Sequence, residues 1–96
     1  MMQLTTTVFL GEFEAYTVEH VARRPGGDLD AVVSATPYDH RPRAYLPFRR
    51  CEGQWRPLAG RAHDLESAVR LAEHELRYAG WDSPELAAVL ATLEVA

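Results

Sequence analysis

Arginines and aromatic residues alternate through the middle of the chain, and their side chains could bind another macromolecule. A guanidinium pairs with phosphate or carboxylate oxygens, and aromatic rings provide stacking area for bases. Both residue types are also enriched in protein interfaces. The residues are Tyr38, Arg41, Arg43, Tyr45, Phe48, Arg49, Arg50, Trp55, Arg56 and Arg61. From these we predict a partner-binding surface made of Tyr38, Arg41, Arg43, Tyr45, Arg49, Arg50, Trp55 and Arg56.

The same residues also have a structural interpretation. Phe48 and Trp55 would lie in the core and Tyr45 would be half-buried, while the arginines would form a solvated face that balances nearby acids. The two interpretations differ in whether the guanidinium groups and rings face outward side by side.

The distribution of charge favours a protein partner over a nucleic acid. The net charge is −4 at pH 7, yet residues 36–63 hold six arginines against Asp39 and Glu52. Because phosphate binding depends on long-range electrostatics, the acidic flanks oppose the approach of a nucleic acid. A protein is therefore the expected partner, and nucleic-acid binding through the same arginines is the alternative.

The sequence contains no pattern that predicts catalysis or metal binding. No two of the four histidines have the i,i+3 or i,i+4 spacing that places ligands on one helix face: His20, His40, His63 and His74. Asp39-His40 and His63-Asp64 are sequence neighbours, and neighbours on a strand point to opposite faces. Cys51 has no second thiol to pair with. We expect no enzyme, no metal and no cofactor.

The segment Asp64–Gly80 carries the clearest secondary-structure signal, which predicts a helix over residues 64–79. Asp64 can cap the first turn and Gly80 can end the last one. Glu66 with Arg70 and Glu73 with Arg77 form acid-first i,i+4 pairs. Apolar residues recur at helical spacing and form one stripe: Leu65, Ala68, Val69, Ala72, Leu76 and Ala79. Leu71 and Tyr78 widen this stripe beyond what one sheet requires, which favours self-association or a protein partner.

Alternating apolar residues and turn signals predict strands before that helix. The predicted strands are Leu4–Leu10, Phe13–Ala22, Leu29–Thr36, Arg43–Arg50 and Gln54–Leu58. Turns fall at 25–28 and at Glu52-Gly53, and residues 37–42 form a loop. Pro47 indicates an edge or bulged strand.

Two stretches remain ambiguous. Residues 12–24 also fit a helix. Ser83-Pro84 predicts the start of a short terminal helix, which would pack beside the first helix or against a partner, and a strand over 88–95 competes with it.

These elements predict an α+β fold in a single domain, residues 1–96: an antiparallel sheet of three to five strands with one face covered by the amphipathic helix, plus a short C-terminal helix. With residues 12–24 helical, the order helix, three strands, helix resembles the double-stranded-RNA-binding fold. That family's basic helix start is replaced here by His63-Asp64-Leu65-Glu66, so its RNA contacts are not carried over.

The lone cysteine fits a reducing compartment, and the first residues have neither a basic region nor a long apolar run. We therefore expect a cytoplasmic protein without membrane insertion.

The leading functional hypothesis is a small non-enzymatic interaction protein that binds a protein partner and acts by occlusion. In size and predicted architecture, a short acidic chain with a β-meander and a helix resembles the inhibitors encoded by phages and mobile elements, such as anti-CRISPRs. The resemblance implies a regulatory or inhibitory role and a bacterial or phage source. A nucleic-acid-binding regulator is the alternative, and a homodimer remains open.

Overall fold

A computed structural model describes residues 7–9, 14–37 and 43–91. Across these residues, five strands pair in chain order into one antiparallel sheet. They are β1 (Thr7–Phe9), β2 (Glu14–Arg23), β3 (Leu29–Pro37), β4 (Ala44–Cys51) and β5 (Gln54–Pro57). Two helices follow, α1 (Leu65–His74) and α2 (Pro84–Ala91). The predicted α+β class is confirmed.

Strand β2 resolves the ambiguity over residues 12–24. Residues 14–23 form a ten-residue strand paired with β3, in keeping with the preference of Thr17, Val18 and Val21 for extended backbone. The helical interpretation is wrong, and the element order shared with the double-stranded-RNA-binding fold is lost with it. Of the predicted strand 4–10, residues 7–9 are extended and the rest lie outside the described residues, as does most of the predicted loop, residues 38–42.

Both predicted hairpin turns are present. In the first, the Arg24 amide donates to the Asp28 carbonyl at 2.7 Å, and the Gly27 amide donates to the Arg24 carbonyl at 2.9 Å. In the second, Glu52 and Gly53 both have positive φ, 55° and 78°. Two central residues with positive φ define the type I′ turn, whose twist matches that of the flanking strands.

A bulge in β2 places two polar residues on the same face of the sheet. Val18 lies opposite Val33 but His20 lies opposite Val32, so Glu19 is the extra residue. Glu19 Oε1 accepts a hydrogen bond from Ser34 Oγ at 2.9 Å, and Ser34 shares a face with Val32. His20 therefore points to the same side as Glu19 and is buried there.

Strand β4 is an interior strand without a register shift, so the inference of an edge or bulged strand from Pro47 is wrong. Pro47 lies opposite Val32 on β3, yet its carbonyl accepts from the Leu58 amide at 2.9 Å. Alternate residues of an antiparallel strand bond to opposite neighbours. The backbone of Pro47 thus faces away from β3, and its missing N–H removes no bond to that strand.

Helix α1 begins as predicted. Asp64 Oδ1 accepts from the Ser67 amide at 2.7 Å, and the hydrogen bonds from Ser67 lower the pKa of the Asp64 carboxyl. The predicted Glu66–Arg70 pair is formed at 2.9 Å.

The helix ends earlier than predicted, at His74 rather than Ala79. Glu75 is extended, and its Oε1 accepts from the amides of Leu76 and Arg77 at 3.1 and 3.0 Å. Those amides are not available to continue the helix. Leu76 consequently leaves the apolar stripe and is 80% exposed. Tyr78 leaves it too and pairs with Leu58 instead.

Helix α2 confirms the predicted terminal helix over its described part. The Leu86 amide donates to Ser83 Oγ at 3.3 Å, which makes Ser83 the cap. Residues 88–91 are helical, so a strand cannot begin at Ala88. Leu86 and Leu90 are 3% and 1% exposed.

The two helices pack on opposite faces of the sheet. Val32 and Val33 are neighbours on β3 and therefore point to opposite sides. The α1 face is a cluster of Val32, Ala62, Ala68 and Ala72, with Tyr45, Leu65, Val69 and Leu71 against it. The α2 face is a cluster of Val18, Val21, Leu29, Ala31, Val33, Phe48, Trp55, Leu86 and Leu90. The expectation that the terminal helix lies beside the first one is wrong.

Among the described residues, neither helix has the length and apolar character needed to cross a bilayer.

Candidate partner interface

The residues predicted to form one binding surface occupy several environments. Tyr38 and Arg41 lie outside the described residues. The other predicted residues are divided between the interior, the two faces of the sheet and its outer edge: Arg43, Tyr45, Arg49, Arg50, Trp55 and Arg56. The predicted single surface therefore has to be replaced by a smaller one.

Arg49 is buried and bound internally. It is 6% exposed, its Nε lies 3.4 Å from Asp30 Oδ1, and its Nη2 donates to the carbonyl of Ala72 at 2.8 Å. Its place in an exposed docking surface is wrong. The sequence pattern indicates only that Arg49 lies on a strand face, and α1 covers that face.

Arg24, Asp30 and Arg49 meet beneath the last turn of α1, and we call them the arginine cluster. Arg24 Nη1 lies 3.0 Å from Asp30 Oδ2 and donates to the carbonyls of Ala72 and Glu73 at 3.1 and 3.0 Å. The last carbonyls of a helix have no donor within the helix, and positive charge stabilises that end. The cluster thus caps the C-terminus of α1 and fastens it to the sheet.

Two buried titratable groups belong to this region. Burial raises the pKa of the Asp30 carboxyl, and the charges and hydrogen bonds of Arg24 and Arg49 offset only part of that rise. Burial lowers the pKa of His20, while the nearby carboxylates of Asp30 and Glu73 act in the opposite direction. Both shifts disfavour the charged form, which is the expected effect of a low-dielectric interior.

Trp55 and Phe48 lie in the apolar core of the α2 face, as the structural interpretation expects. They are 7% and 0% exposed. The Trp81 ring meets the Phe48 ring edge-on, with centroids 6.1 Å apart and planes at 85°. The assignment of the Trp55 side chain to an exposed surface is wrong. Tyr45 is half-buried against the α1 face, and its backbone exchanges hydrogen bonds of 2.8 and 3.0 Å with Ala62.

Arg56 is exposed on the outer strand, beside aromatic residues that the predicted site does not include. Its guanidinium carbon lies 5.8 Å from the centre of the Tyr78 ring, and its Nη2 donates to Gln54 Oε1 at 3.2 Å. Tyr78 and Trp81 are 42% and 45% exposed. A groove of about 950 Å³ lies between β5, residues 78–82 and α2, and we call it the β5 groove. It is lined by Gln54, Arg56, Tyr78 and Trp81, among others.

Arg43 and Arg50 lie away from this groove. Arg43 Nη1 is 3.6 Å from Glu19 Oε1, which places it on the α1 face. Arg50 follows Arg49 on β4, so its side chain points to the opposite face, where it is exposed. Within the described part of the predicted surface, Arg43, Arg50 and Arg56 are divided between the two faces of the sheet and do not form one continuous basic track.

The sequence prediction missed the central members of both regions. Asp30 was not singled out, although an acid between Leu29 and Ala31 in an apolar strand is a signal for a buried ion pair. The sequence pattern places Tyr78 only in the widened apolar stripe, and it does not assign Trp81 to the predicted site. The approach of Tyr78 to Arg56 depends on the early end of α1, for which the sequence gives little warning.

Among the described residues, no three histidine, cysteine or acidic side chains come together as metal ligands. Comparison with protein families, curated proteins and solved structures gives no match.

Proposed function

We propose that the protein is a non-enzymatic binding module that docks onto a protein partner through the β5 groove. The single observation that carries this proposal is that Arg56, Tyr78 and Trp81, all exposed, line one groove along the outer edge of β5. Arginine, tyrosine and tryptophan are the residue types that contribute most energy to protein interfaces. The protein would act by covering a surface of its partner. This mechanism suits a cytoplasmic regulatory or inhibitory role, such as that of a phage-encoded inhibitor.

A protein partner fits the charge arrangement better than a nucleic acid does. Arg49 is buried and bonded within the protein, and Arg50 and Arg56 point to different faces of the sheet. A strand of phosphates would need a continuous basic groove, and the net charge of −4 opposes its approach. Tyr38, Arg41, Arg43 and Tyr45 remain predicted partner contacts outside the groove. Arg50 is no longer among them, because it points to the opposite face from Arg56 and does not line the groove.

The exposed apolar residues at the end of α1 also bear on the proposal. Leu76, Tyr78 and Trp81 are the large apolar side chains left most exposed in the described part of the chain. Exposed apolar area beside an arginine is typical of a surface that is covered in a complex. A second copy of the chain is the alternative partner that could cover this surface, and the test must detect such self-association.

The test is affinity capture from a lysate of the source organism with three baits: wild type, Arg56→Glu and Arg50→Glu. We expect one protein to be retained by wild type and Arg50→Glu and lost with Arg56→Glu, because Arg56 lines the groove and Arg50 does not. Nuclease treatment should leave the capture unchanged. Equal recovery by all three baits, or loss on nuclease treatment, would contradict the proposal. Light scattering of the purified chain separates self-association from capture of another protein.

A further inference from the structure

The outer edge of β5 has an open backbone position at Trp55. In a hairpin with a two-residue turn, the residues flanking the turn, here Cys51 and Gln54, exchange hydrogen bonds. The next pair, Arg50 and Trp55, is then non-hydrogen-bonded, so the N–H and C=O of Trp55 point away from β4. In the described part of the chain, these two groups have no backbone partner outside the sheet.

The same edge already binds an extended segment two residues further along. The Ala79 amide donates to the carbonyl of Pro57 at 2.9 Å, and the Ala59 amide donates to the carbonyl of Arg77 at 2.9 Å. Leu58 and Tyr78 form an antiparallel bridge between these bonds. This internal pairing stops before Trp55, because the chain turns away at Gly80 and the Trp81 ring packs on Phe48.

From this geometry we infer that the β5 groove binds its partner by strand addition, with a short extended segment of the partner pairing antiparallel to β5 at Trp55. The inference rests on the proposed function and specifies how the partner is held. An added strand is held by main-chain bonds and selected by its alternate side chains. Pro57 has no N–H, and the Gly53 turn closes the other end, so the open stretch suits a segment of only about three residues.

Charge complementarity sets the chemistry of that segment. The Arg56 guanidinium contacts the amide oxygen of Gln54 and the Tyr78 ring, and no carboxylate pairs with it among the described residues. The Trp81 ring packs on Phe48 in the core under α2 and therefore lies on the other side of β5 from Arg56. Asp82, its neighbour in sequence, also lines the groove. Because neighbouring residues of a strand point to opposite faces, an acidic residue directed at Arg56 is adjacent to an apolar residue directed at Trp81. Asp82 disfavours the reverse arrangement.

The test begins with selection from a random heptapeptide phage library on the full chain. We expect enriched peptides to carry an acidic residue next to an aliphatic or aromatic one. In a synthetic peptide of the enriched sequence, N-methylation of the amide that bonds to Trp55 should weaken binding about tenfold, the effect of one lost hydrogen bond. N-methylation of the next amide, which faces away, should leave affinity within about twofold.

Matched protein variants assign the peptide to the groove. Arg56→Gln should lower the affinity for the acidic peptide by about threefold, and Arg50→Gln should leave that affinity unchanged. Failure to enrich such peptides, or binding that is indifferent to every single N-methylation, would overturn strand addition. If capture of the natural partner still depends on Arg56 in that case, the proposed function stands and only the mode of binding is wrong. If neither depends on Arg56, both proposals fail.

Discussion

The face of the sheet under α1 and the face under α2 are closed by different interactions. Under α1, small alanines bring the helix close to the strands, and the arginine cluster joins its last turn to the sheet. Under α2, Leu86 and Leu90 pack into aliphatic and aromatic side chains. Directional ion-paired bonds fix where α1 ends, whereas apolar burial holds α2 without such a constraint.

Arg49 and Arg56 make the same comparison at the level of single residues. They lie opposite each other across β4 and β5, on the same face of the sheet. Arg49 is covered by the end of α1 and is buried, while Arg56 lies beyond the helix and is exposed. Identical residue types in register thus serve different purposes, because a long-range contact covers one and leaves the other free.

The largest expected effect comes from breaking the arginine cluster. Asp30→Ala should lower the free energy of unfolding by about 4 kcal/mol, because it leaves two arginines without their shared carboxylate. Urea unfolding followed by circular dichroism measures the change. Asp28→Ala, in the adjacent turn, is the control and should stay within about 0.5 kcal/mol of wild type. Similar losses for both variants would mean that the cluster does not fasten α1.

The apolar face should respond almost as strongly to a cavity. Leu90→Ala removes a side chain that is 1% exposed and should cost about 3 kcal/mol in unfolding free energy. Leu76→Ala makes the same chemical change at a position that is 80% exposed, and should cost less than about 0.5 kcal/mol. A Leu90→Ala variant as stable as wild type would show that α2 contributes little to the folded state.

Acid should act on the α1 face through His20, with a smaller effect. The pKa of His20 is lowered from its ordinary value of 6.5 in the folded protein. Just below pH 6.5, His20 is therefore protonated more in the unfolded chain than in the folded one. Stability contributed by neutral His20 is therefore present at pH 7 and is lost as the pH falls below 6.5. Asp30 works against this loss, because its raised pKa means that the folded state gains stability when that carboxyl is protonated.

Substitution separates these contributions. His20→Gln should flatten the fall in the urea midpoint between about pH 7 and pH 5, and His74→Gln, at an exposed position, should leave it unchanged. An identical pH profile for His20→Gln and wild type would contradict the assignment.

The smallest effect on stability is expected in the β5 groove. Arg56→Gln should change the unfolding free energy by less than about 0.5 kcal/mol, since it removes only an exposed ring contact and a hydrogen bond to Gln54. Urea unfolding checks this value. A loss above about 2 kcal/mol would give Arg56 a structural role like that of Arg49 and would weaken its assignment to an interface.

Much of the fold follows from local patterns. The alternation in Gln54–Pro57, the turn at Glu52-Gly53 and the caps at Asp64 and Ser83 are all present as predicted. Each depends on interactions within a few residues, so a stretch of sequence contains the information. The early end of α1 is different, because Glu75 competes for amides locally while residues 77–79 pair with distant β5.

The candidate site was less predictable for the same reason. The sequence places arginine and aromatic residues on strands, but it does not indicate which helix covers which face. Trp55 becomes core because Leu86 and Leu90 pack on its side of the sheet. Tyr78 contacts Arg56 because the last part of the predicted helix is not helical and instead pairs with the chain at the end of β5.

By itself, the sequence determined the α+β class, the strand order implied by successive hairpins, and the start of each helix, because periodicity, turn residues and caps act over short distances. The tertiary structure decided which arginine is buried and which is free to bind. The bond from Arg49 to the carbonyl of Ala72 joins residues 23 positions apart. Burial of that guanidinium depends on the helix packing above it, and no local pattern encodes that contact.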